Sequence, residues 1–93
     1  MNKEEFEKFL PEAKQKIINL IQMCPVYSSN LLAIGYNKEY KMLRVIFKNK
    51  TSYIYFNVDE DIWNNLSKSN SKGKTLNESV IKQKEKYQYL KLV

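Results

Sequence analysis

The sequence predicts an α+β domain: an N-terminal helix, a three-stranded antiparallel β-meander, and then two short helices packed on one sheet face. Two stretches, residues 42–48 and 52–58, alternate apolar and polar side chains on either side of a short polar break, which is typical of an antiparallel hairpin. Residues 31–37 are apolar or small on both faces and predict a strand that is central or covered on both sides. A chain of 93 residues forms one domain near the lower size limit for independent folding.

Residues 3–23 have the periodicity of an amphipathic helix. Proline costs about 3 kcal/mol in a helix interior but is tolerated in a first turn. We therefore expect a short turn at residues 3–9 and the main helix from Pro11 to Met23. The Cys24-Pro25 pair is expected to end it, because the residue before a proline is driven out of the α region.

The apolar stripe of this helix has two open interpretations: it packs on the sheet, or it self-associates or binds a partner, since its four–three spacing is that of a coiled-coil seam. The stripe covers fewer than three heptads, which is too short for a free-standing coiled coil. The candidate partner-interface residues are Phe6, Leu10, Ile17 and Leu20.

In the predicted third strand, the alternation places two tyrosines, Tyr53 and Tyr55, where small polar residues are usual. If the second and third strands pair so that Arg44 and Lys48 share the tyrosine face, aromatic rings and cations are displayed together, which favours binding to single-stranded nucleic acid. The face has three open interpretations: an exposed stacking surface, a seat for the helix at residues 11–23, or a homo-oligomer interface.

The second half of the chain contains helix-start signals. Acidic residues at positions 59–61 are expected to open a helix, where the macrodipole favours negative charge. Residues 75–78 have capping-box spacing and predict the start of a last helix. The C-terminal residues 86–93 are expected to form either a short edge strand or an ordered tail.

Charge and composition narrow the function classes. The net charge is +6, with +4 on residues 28–58 and +4 on residues 72–93. This distribution favours a polyanionic partner such as RNA or DNA, or else reflects only a solvated lysine-rich surface.

The chain has no histidine and one cysteine, which excludes an internal disulfide, the usual zinc sites and Ser-His or Cys-His nucleophiles. We expect no enzyme activity, no cofactor and no catalytic or metal-binding residue. The sequence has no apolar segment of membrane-spanning length and no secretory signal, so we expect a cytoplasmic protein without a membrane partner.

Five short motifs occur in a fixed order: PVYSSN, AIGYN, YIY, SKGK followed by an asparagine, and a terminal YQY. Together they resemble the KTSR domain, a small module named for its occurrence at the C-terminus of some lysyl-tRNA synthetases and also found as a single-domain bacterial and phage protein. The resemblance covers roughly residues 25–90, so we divide the chain into an N-terminal helical extension, residues 1–24, and a KTSR-like domain, residues 25–93. Lys50 stands where the family commonly has a turn glycine, and Asp59 where it usually has a proline.

The resemblance implies no established activity; RNA binding has been suggested for the family. We therefore expect a small non-catalytic module that binds single-stranded or structured RNA or DNA. The candidate nucleic-acid-binding residues are Tyr53, Tyr55, Arg44, Lys48, Lys72 and Lys74. The alternative is a protein–protein interaction module, such as a phage-type inhibitor or adaptor, that acts through the N-terminal helix or the sheet face.

Overall fold

The computed structural model describes residues 1–83 and 85–93. Its helices are α1 (Lys3–Glu7), α2 (Pro11–Asn19), α3 (Glu60–Lys68) and α4 (Lys72–Leu76), and α4 continues into a π-helical segment (Asn77–Ile81). Its strands are β1 (Met23–Pro25), β2 (Leu31–Asn37), β3 (Met42–Phe47), β4 (Ser52–Tyr55) and β5 (Tyr89–Lys91).

The α+β architecture is observed, but the predicted three-stranded meander is wrong. The sheet has five strands in the order β1-β2-β3-β4-β5, with every neighbouring pair antiparallel. The two additional strands are three residues long and lie at the edges. The helices at residues 60–81 connect β4 to β5, so the C-terminal segment returns to the sheet as an edge strand.

The strand β1 exists because its backbone can approach β2 closely. Met23 pairs with Gly35, and a Cβ atom added at Gly35 would lie only 2.5 Å from the carbonyl oxygen of Gln22. Pro25 is compatible with this position because an edge strand leaves one side of its backbone unpaired. The main helix therefore ends at Asn19 and not at Met23 as expected, and the chain turns at once into the sheet.

The β3–β4 hairpin has a different register from the one that the sequence suggested. Lys50 donates its N–H to the carbonyl of Phe47 at 2.9 Å and has a φ of 72°, and Thr51 then pairs with Phe47. This is a turn followed by a left-handed residue, which gives a three-residue loop. A two-residue turn would pair Tyr55 with Arg44, whereas the observed loop pairs Tyr55 with Leu43. A shift of one residue in register moves every side chain of a strand to the other face of the sheet. Tyr53 and Tyr55 therefore lie on the sheet face that Arg44 does not share.

Each sheet face carries its own apolar core. On one face, Leu43, Val45 and Tyr55 pack with residues of the C-terminal helices, including Leu66 and Val80. On the other face, α1 and α2 pack on the sheet through three buried side chains, and a fourth comes from Ile21, just after α2. These four side chains contact three buried residues of the β3–β4 region. The buried side chains of this second core are Phe6, Ile17, Ile18, Ile21, Met42, Ile54 and Phe56.

The start of α3 is as predicted, with Asp59 at the N-cap and Glu60 and Asp61 in the first turn. The start of the last helix is not, because α4 begins at Lys72 and not at Thr75. The Thr75 hydroxyl forms a hydrogen bond of 2.7 Å with the Ser69 hydroxyl, and so ties the end of α3 to α4 and does not cap a helix.

Candidate functional site

An open cleft of about 350 Å³, here called the tyrosine cleft, lies on the sheet face that the C-terminal helices partly cover. Its walls are aromatic, with an amide and a hydroxyl at the rim. The residues that define it are Phe47, Asn49, Thr51, Tyr53, Tyr55 and Tyr89. They come from β3, from β4, from the loop between these strands and from β5, and Ile81 and Tyr87, from the segment between β4 and β5, complete the lining.

The register of three neighbouring strands builds this cleft. Tyr55 pairs with Tyr89, and Tyr53 lies between Val45 and Lys91. The ring centroids of Tyr53 and Tyr89 are 5.9 Å apart at 65°, and those of Tyr55 and Tyr89 are 6.0 Å apart. These distances and tilts are typical of favourable aromatic pairs, so the three rings hold one another in place.

The three tyrosines differ in how far solvent reaches them. Tyr55 is buried with 7% of its surface exposed, Tyr53 is half-buried, and Tyr89 is 48% exposed. Burial, and then the neighbouring Tyr53 and Tyr89, raise the pKa of Tyr55 to about 12. Tyr55 is thus the neutral floor of the cleft, and the other two rings remain accessible to a ligand.

A second cleft, of about 690 Å³, adjoins the first and is here called the polar cleft. It lies between the loop that precedes β2 and the N-terminal part of α4 with the residues that flank it. Its walls include Ser28, Asn30, Ser71, Lys72, Lys74 and Asn77. Ile81 lines both clefts, so the two are neighbours that meet at this side chain.

The two walls of the polar cleft meet at Gly73. A Cβ atom added at Gly73 would clash with Oδ1 of Asn30, and would lie 3.4 Å from Oγ of Ser28. The absence of a side chain at this position therefore lets the α4 backbone rest against the loop. Two motifs that are distant in the sequence, PVYSSN and SKGK, form one structural unit.

Comparison with protein families matches residues 27–89 to the KTSC domain. This chain belongs to the KTSC domain family. The motifs led to roughly the right family, but the expected name, KTSR, was wrong. A crystal structure of a KTSC domain protein from Yersinia pestis is 34% identical to this chain, with a TM-score of 0.69, and the match covers 78% of this chain and 99% of that one. No curated protein matches the chain.

Both clefts of this KTSC domain lie largely within the matched residues. Phe47, Tyr53 and Tyr89 of the tyrosine cleft fall in residues 27–89, and so do Asn30 and Lys74 of the polar cleft. The helix α1 and the helix α2 precede the match. The lining of both clefts is therefore drawn from the matched residues, whereas the second core combines residues before the match with residues inside it.

The structure separates the predicted nucleic-acid-binding residues into groups. It brings Tyr53 and Tyr55 together in the tyrosine cleft, and Lys72 and Lys74 together in the polar cleft. The expectation that Arg44 shares the tyrosine face is wrong, because Arg44 pairs with Ile54 in the row that faces the N-terminal helices.

The remaining basic candidates have distinct surroundings. Nε of Arg44 is buried and has no hydrogen-bond partner in the described part of the chain. Lys48 is exposed just after β3, and its N–H donates to the carbonyl of Asn30 at 2.9 Å. Nζ of Lys72 donates to the carbonyl of Ser69 at 2.8 Å, which fixes the position of its ammonium group.

The four predicted partner-interface residues do not form a single exposed stripe. Phe6 and Ile17 are buried in the second core, with 1% and 8% of their surfaces exposed. Leu10 and Leu20, at the two ends of α2, are 73% and 54% exposed. The four–three spacing placed all of them on one face, but α1 and α2 are separate helices, so the spacing is not continuous across Pro11.

Sequence reasoning missed several cleft residues. Tyr89 belongs to the terminal YQY motif, and Asn30 to PVYSSN, so both motifs were recognised without a site being assigned to them. Phe47 and Thr51 depend on the hairpin register. These residues come together only in the five-stranded sheet, which no local sequence pattern reveals.

Within residues 1–83 and 85–93, no group of three or more His, Cys, Asp or Glu side chains is placed to hold a metal ion. None of the helices in this described part of the chain has the length and apolar character that crossing a membrane requires.

Proposed function

We propose that this KTSC domain is a non-catalytic module that binds single-stranded nucleic acid, RNA in the first place, by stacking bases in the tyrosine cleft. The observation that carries the proposal is the open aromatic cleft itself, in which Tyr53 and Tyr89 are accessible above a buried Tyr55. The expected place of action is the cytoplasm.

Aromatic rings of this kind bind nucleobases by stacking, whatever the nucleotide sequence. Stacking of a base on an aromatic side chain contributes about 1–3 kcal/mol. The rings of Tyr53 and Tyr89 are held at 5.9 Å by neighbouring strands, so little conformational freedom is lost on binding. At the rim, Asn49 and Thr51 supply polar groups that can contact base edges or a ribose.

The charge of the chain supports the same ligand class. Lys91 pairs with Tyr53 in the β-ladder and is exposed, and Lys48 and Lys50 lie in the hairpin loop beside the cleft. The net charge of +6 attracts a polyanion at long range. Phosphate contacts of this type make affinity fall steeply with salt concentration.

The direct test is the affinity of a fluorescently labelled 12-nucleotide RNA for the wild type and for Tyr89→Ala, measured by anisotropy. Tyr89 is half-exposed, so its truncation leaves the core in place. Losing one stacked base predicts a roughly 5- to 150-fold weaker affinity. Phe9→Ala is the matched control, because Phe9 is 40% exposed and lies in the N-terminal segment, outside the tyrosine cleft.

Circular dichroism establishes that both variants keep the wild-type fold. Equal affinities for the wild type and Tyr89→Ala would contradict base stacking in the tyrosine cleft. An affinity that does not change between 50 and 200 mM salt would contradict the phosphate contacts.

A second candidate function, protein binding by a phage-type inhibitor or adaptor, is favoured by the exposure of Leu10 and Leu20 at the two ends of α2. A partner captured from lysate after nuclease treatment, and lost with Leu10→Ser and Leu20→Ser, would support it. Retention of that partner by the double variant would count against it. The homo-oligomer interface on the tyrosine face stays a prediction.

A further inference from the structure

We propose that the polar cleft is an oxyanion site that holds a phosphate group of the nucleotide whose base lies in the tyrosine cleft. The base position rests on the function proposed above. The phosphate site rests on the polar cleft alone, so the two can fail separately.

The first support is the chemistry of the walls. They carry the ammonium groups of Lys72 and Lys74, the amides of Asn30 and Asn77, and the hydroxyl of Ser71. Within the described residues, no carboxylate lines this cleft. Donors and positive charges without an acidic group favour a ligand that is negative and accepts hydrogen bonds, as a phosphate group does.

The second support is the orientation of Asn30. The Ser28 hydroxyl oxygen accepts hydrogen bonds from the backbone N–H groups of Asn30 and Leu31, both at 3.3 Å. The hydroxyl proton is then available to donate to Oδ1 of Asn30, at 3.0 Å. Because Oδ1 is satisfied in this way, the NH₂ of Asn30 is the group that remains for a ligand, and it is a double donor.

The third support is that contacts within the protein hold the donor groups of the polar cleft in place. The ammonium group of Lys72 is fixed by its hydrogen bond to the Ser69 carbonyl, which still leaves it two protons to donate. Gly73 brings the α4 backbone against Asn30, where any side chain would clash with Oδ1. The donors on the two walls are thereby held at a fixed separation.

The position of the cleft identifies the class of ligand. Ile81 is the only residue that lines both clefts among those described, so a ligand passing over it has an aromatic surface on one side and oxyanion donors on the other. A nucleotide has a flat base and a phosphate joined through a ribose. We therefore assign the base to the tyrosine cleft and the phosphate, diester or terminal monoester, to the polar cleft.

The test is a set of NMR titrations of ¹⁵N-labelled protein at constant ionic strength, with chloride as the competing anion. Inorganic phosphate is expected to shift the amides of Gly73 and Lys74, adenosine to shift those of Tyr53 and Tyr89, and adenosine monophosphate to shift both sets. The monophosphate is expected to bind at least 5-fold more tightly than adenosine. A dinucleoside monophosphate that shifts both sets equally well would assign the site to the diester of a strand, and a preference for adenosine monophosphate would assign it to a terminal phosphate.

Lys74→Gln is expected to abolish the response to inorganic phosphate and to reduce the salt slope of RNA binding by about 0.7, the value for one phosphate contact to a single strand. Lys16→Gln removes the same charge from the exposed surface of α2 and is expected to leave the phosphate response unchanged. Asn30→Asp, which places a carboxylate in the cleft, is expected to abolish phosphate binding as well.

Phosphate shifts scattered over all lysines, or equal responses in Lys74→Gln and Lys16→Gln, would overturn the oxyanion site even if RNA still bound the tyrosine cleft. Phosphate shifts confined to the polar cleft, with no adenosine response at Tyr53 and Tyr89, would uphold the oxyanion site and reject base stacking.

Discussion

Replacing Lys50 by glycine is expected to stabilise the protein. Lys50 adopts a φ of 72° in the β3–β4 loop, a conformation that costs an L-residue about 1–2 kcal/mol. Glycine avoids this cost but loses about 0.5–1 kcal/mol of conformational entropy on folding. The difference predicts that Lys50→Gly raises the free energy of unfolding by about 0.5–1 kcal/mol.

Urea denaturation followed by circular dichroism measures this change. With an m-value of about 1.5 kcal/mol/M, the expected gain moves the unfolding midpoint upward by roughly 0.5 M. Lys50→Ala is the control for the lost charge, and it is expected to give no gain because alanine retains the steric cost. Lys48→Gly, at a loop position without a positive φ, is expected to lower stability.

A midpoint for Lys50→Gly at or below that of the wild type, or equal gains in Lys50→Gly and Lys50→Ala, would refute the argument from backbone strain. The position also matters for function, because this loop sets the register that puts Tyr53 and Tyr55 together on the cleft side of the sheet. Lys50→Gly and Lys50→Ala lose the same charge beside the cleft, so the two variants are expected to bind RNA with equal affinity although only the first has the more stable loop.

Two further predictions concern stability. Gly35→Ala is expected to lower the free energy of unfolding by about 1–3 kcal/mol in urea denaturation, because its Cβ would lie 2.5 Å from the backbone oxygen of Gln22. Gly73→Ala is expected to cost less, because its Cβ would meet side-chain atoms, chiefly of Asn30, which can move; equal losses would contradict this reasoning. The raised pKa of Tyr55, about 12 against 10.0, means that the unfolded chain loses this proton first. The free energy of unfolding is therefore expected to fall by about 2 kcal/mol as pH rises from 10 to 12. Tyr55→Phe is expected to remove that part of the alkaline pH dependence, and an unchanged profile would be evidence against a buried, neutral Tyr55.

Local patterns predicted much of this fold. The apolar run at residues 31–37 and the alternation in residues 42–48 and 52–58 located the three central strands, and the acidic cluster before Ile62 located the start of α3. These elements are determined by side-chain periodicity and by the helix dipole, both of which can be read from neighbouring residues.

The sheet edges could not be predicted in this way. The strands β1 and β5 are each three residues long, too short for an alternating pattern, and they exist because they pair with β2 and β4. Met23 and Pro25 carry no strand signal of their own. The close approach at Gly35 permits β1, and that contact connects residues that are 12 positions apart.

The candidate site was predicted in part for the same reason. The unusual alternation singled out Tyr53 and Tyr55, but their surroundings depend on a hairpin register that is set by the backbone of Lys50. The observed β3–β4 register differs by one residue from the expected one, and this difference places Arg44 on the opposite face of the sheet. Tyr89 and Asn30 reach the site only through long-range pairing and packing, which no local periodicity specifies.

The most direct test of the account is to map where a single-stranded RNA contacts the domain. Aromatic proton shifts of the ¹³C-labelled protein, recorded with a 12-nucleotide RNA, report base stacking as ring-current effects. Base stacking in the tyrosine cleft predicts that the largest shifts fall on the rings of Tyr53 and Tyr89, with those of Phe6 and Phe56 in the opposite core unchanged. Shifts confined to the surface of α2, or no RNA-dependent shift at Tyr53 and Tyr89, would contradict it.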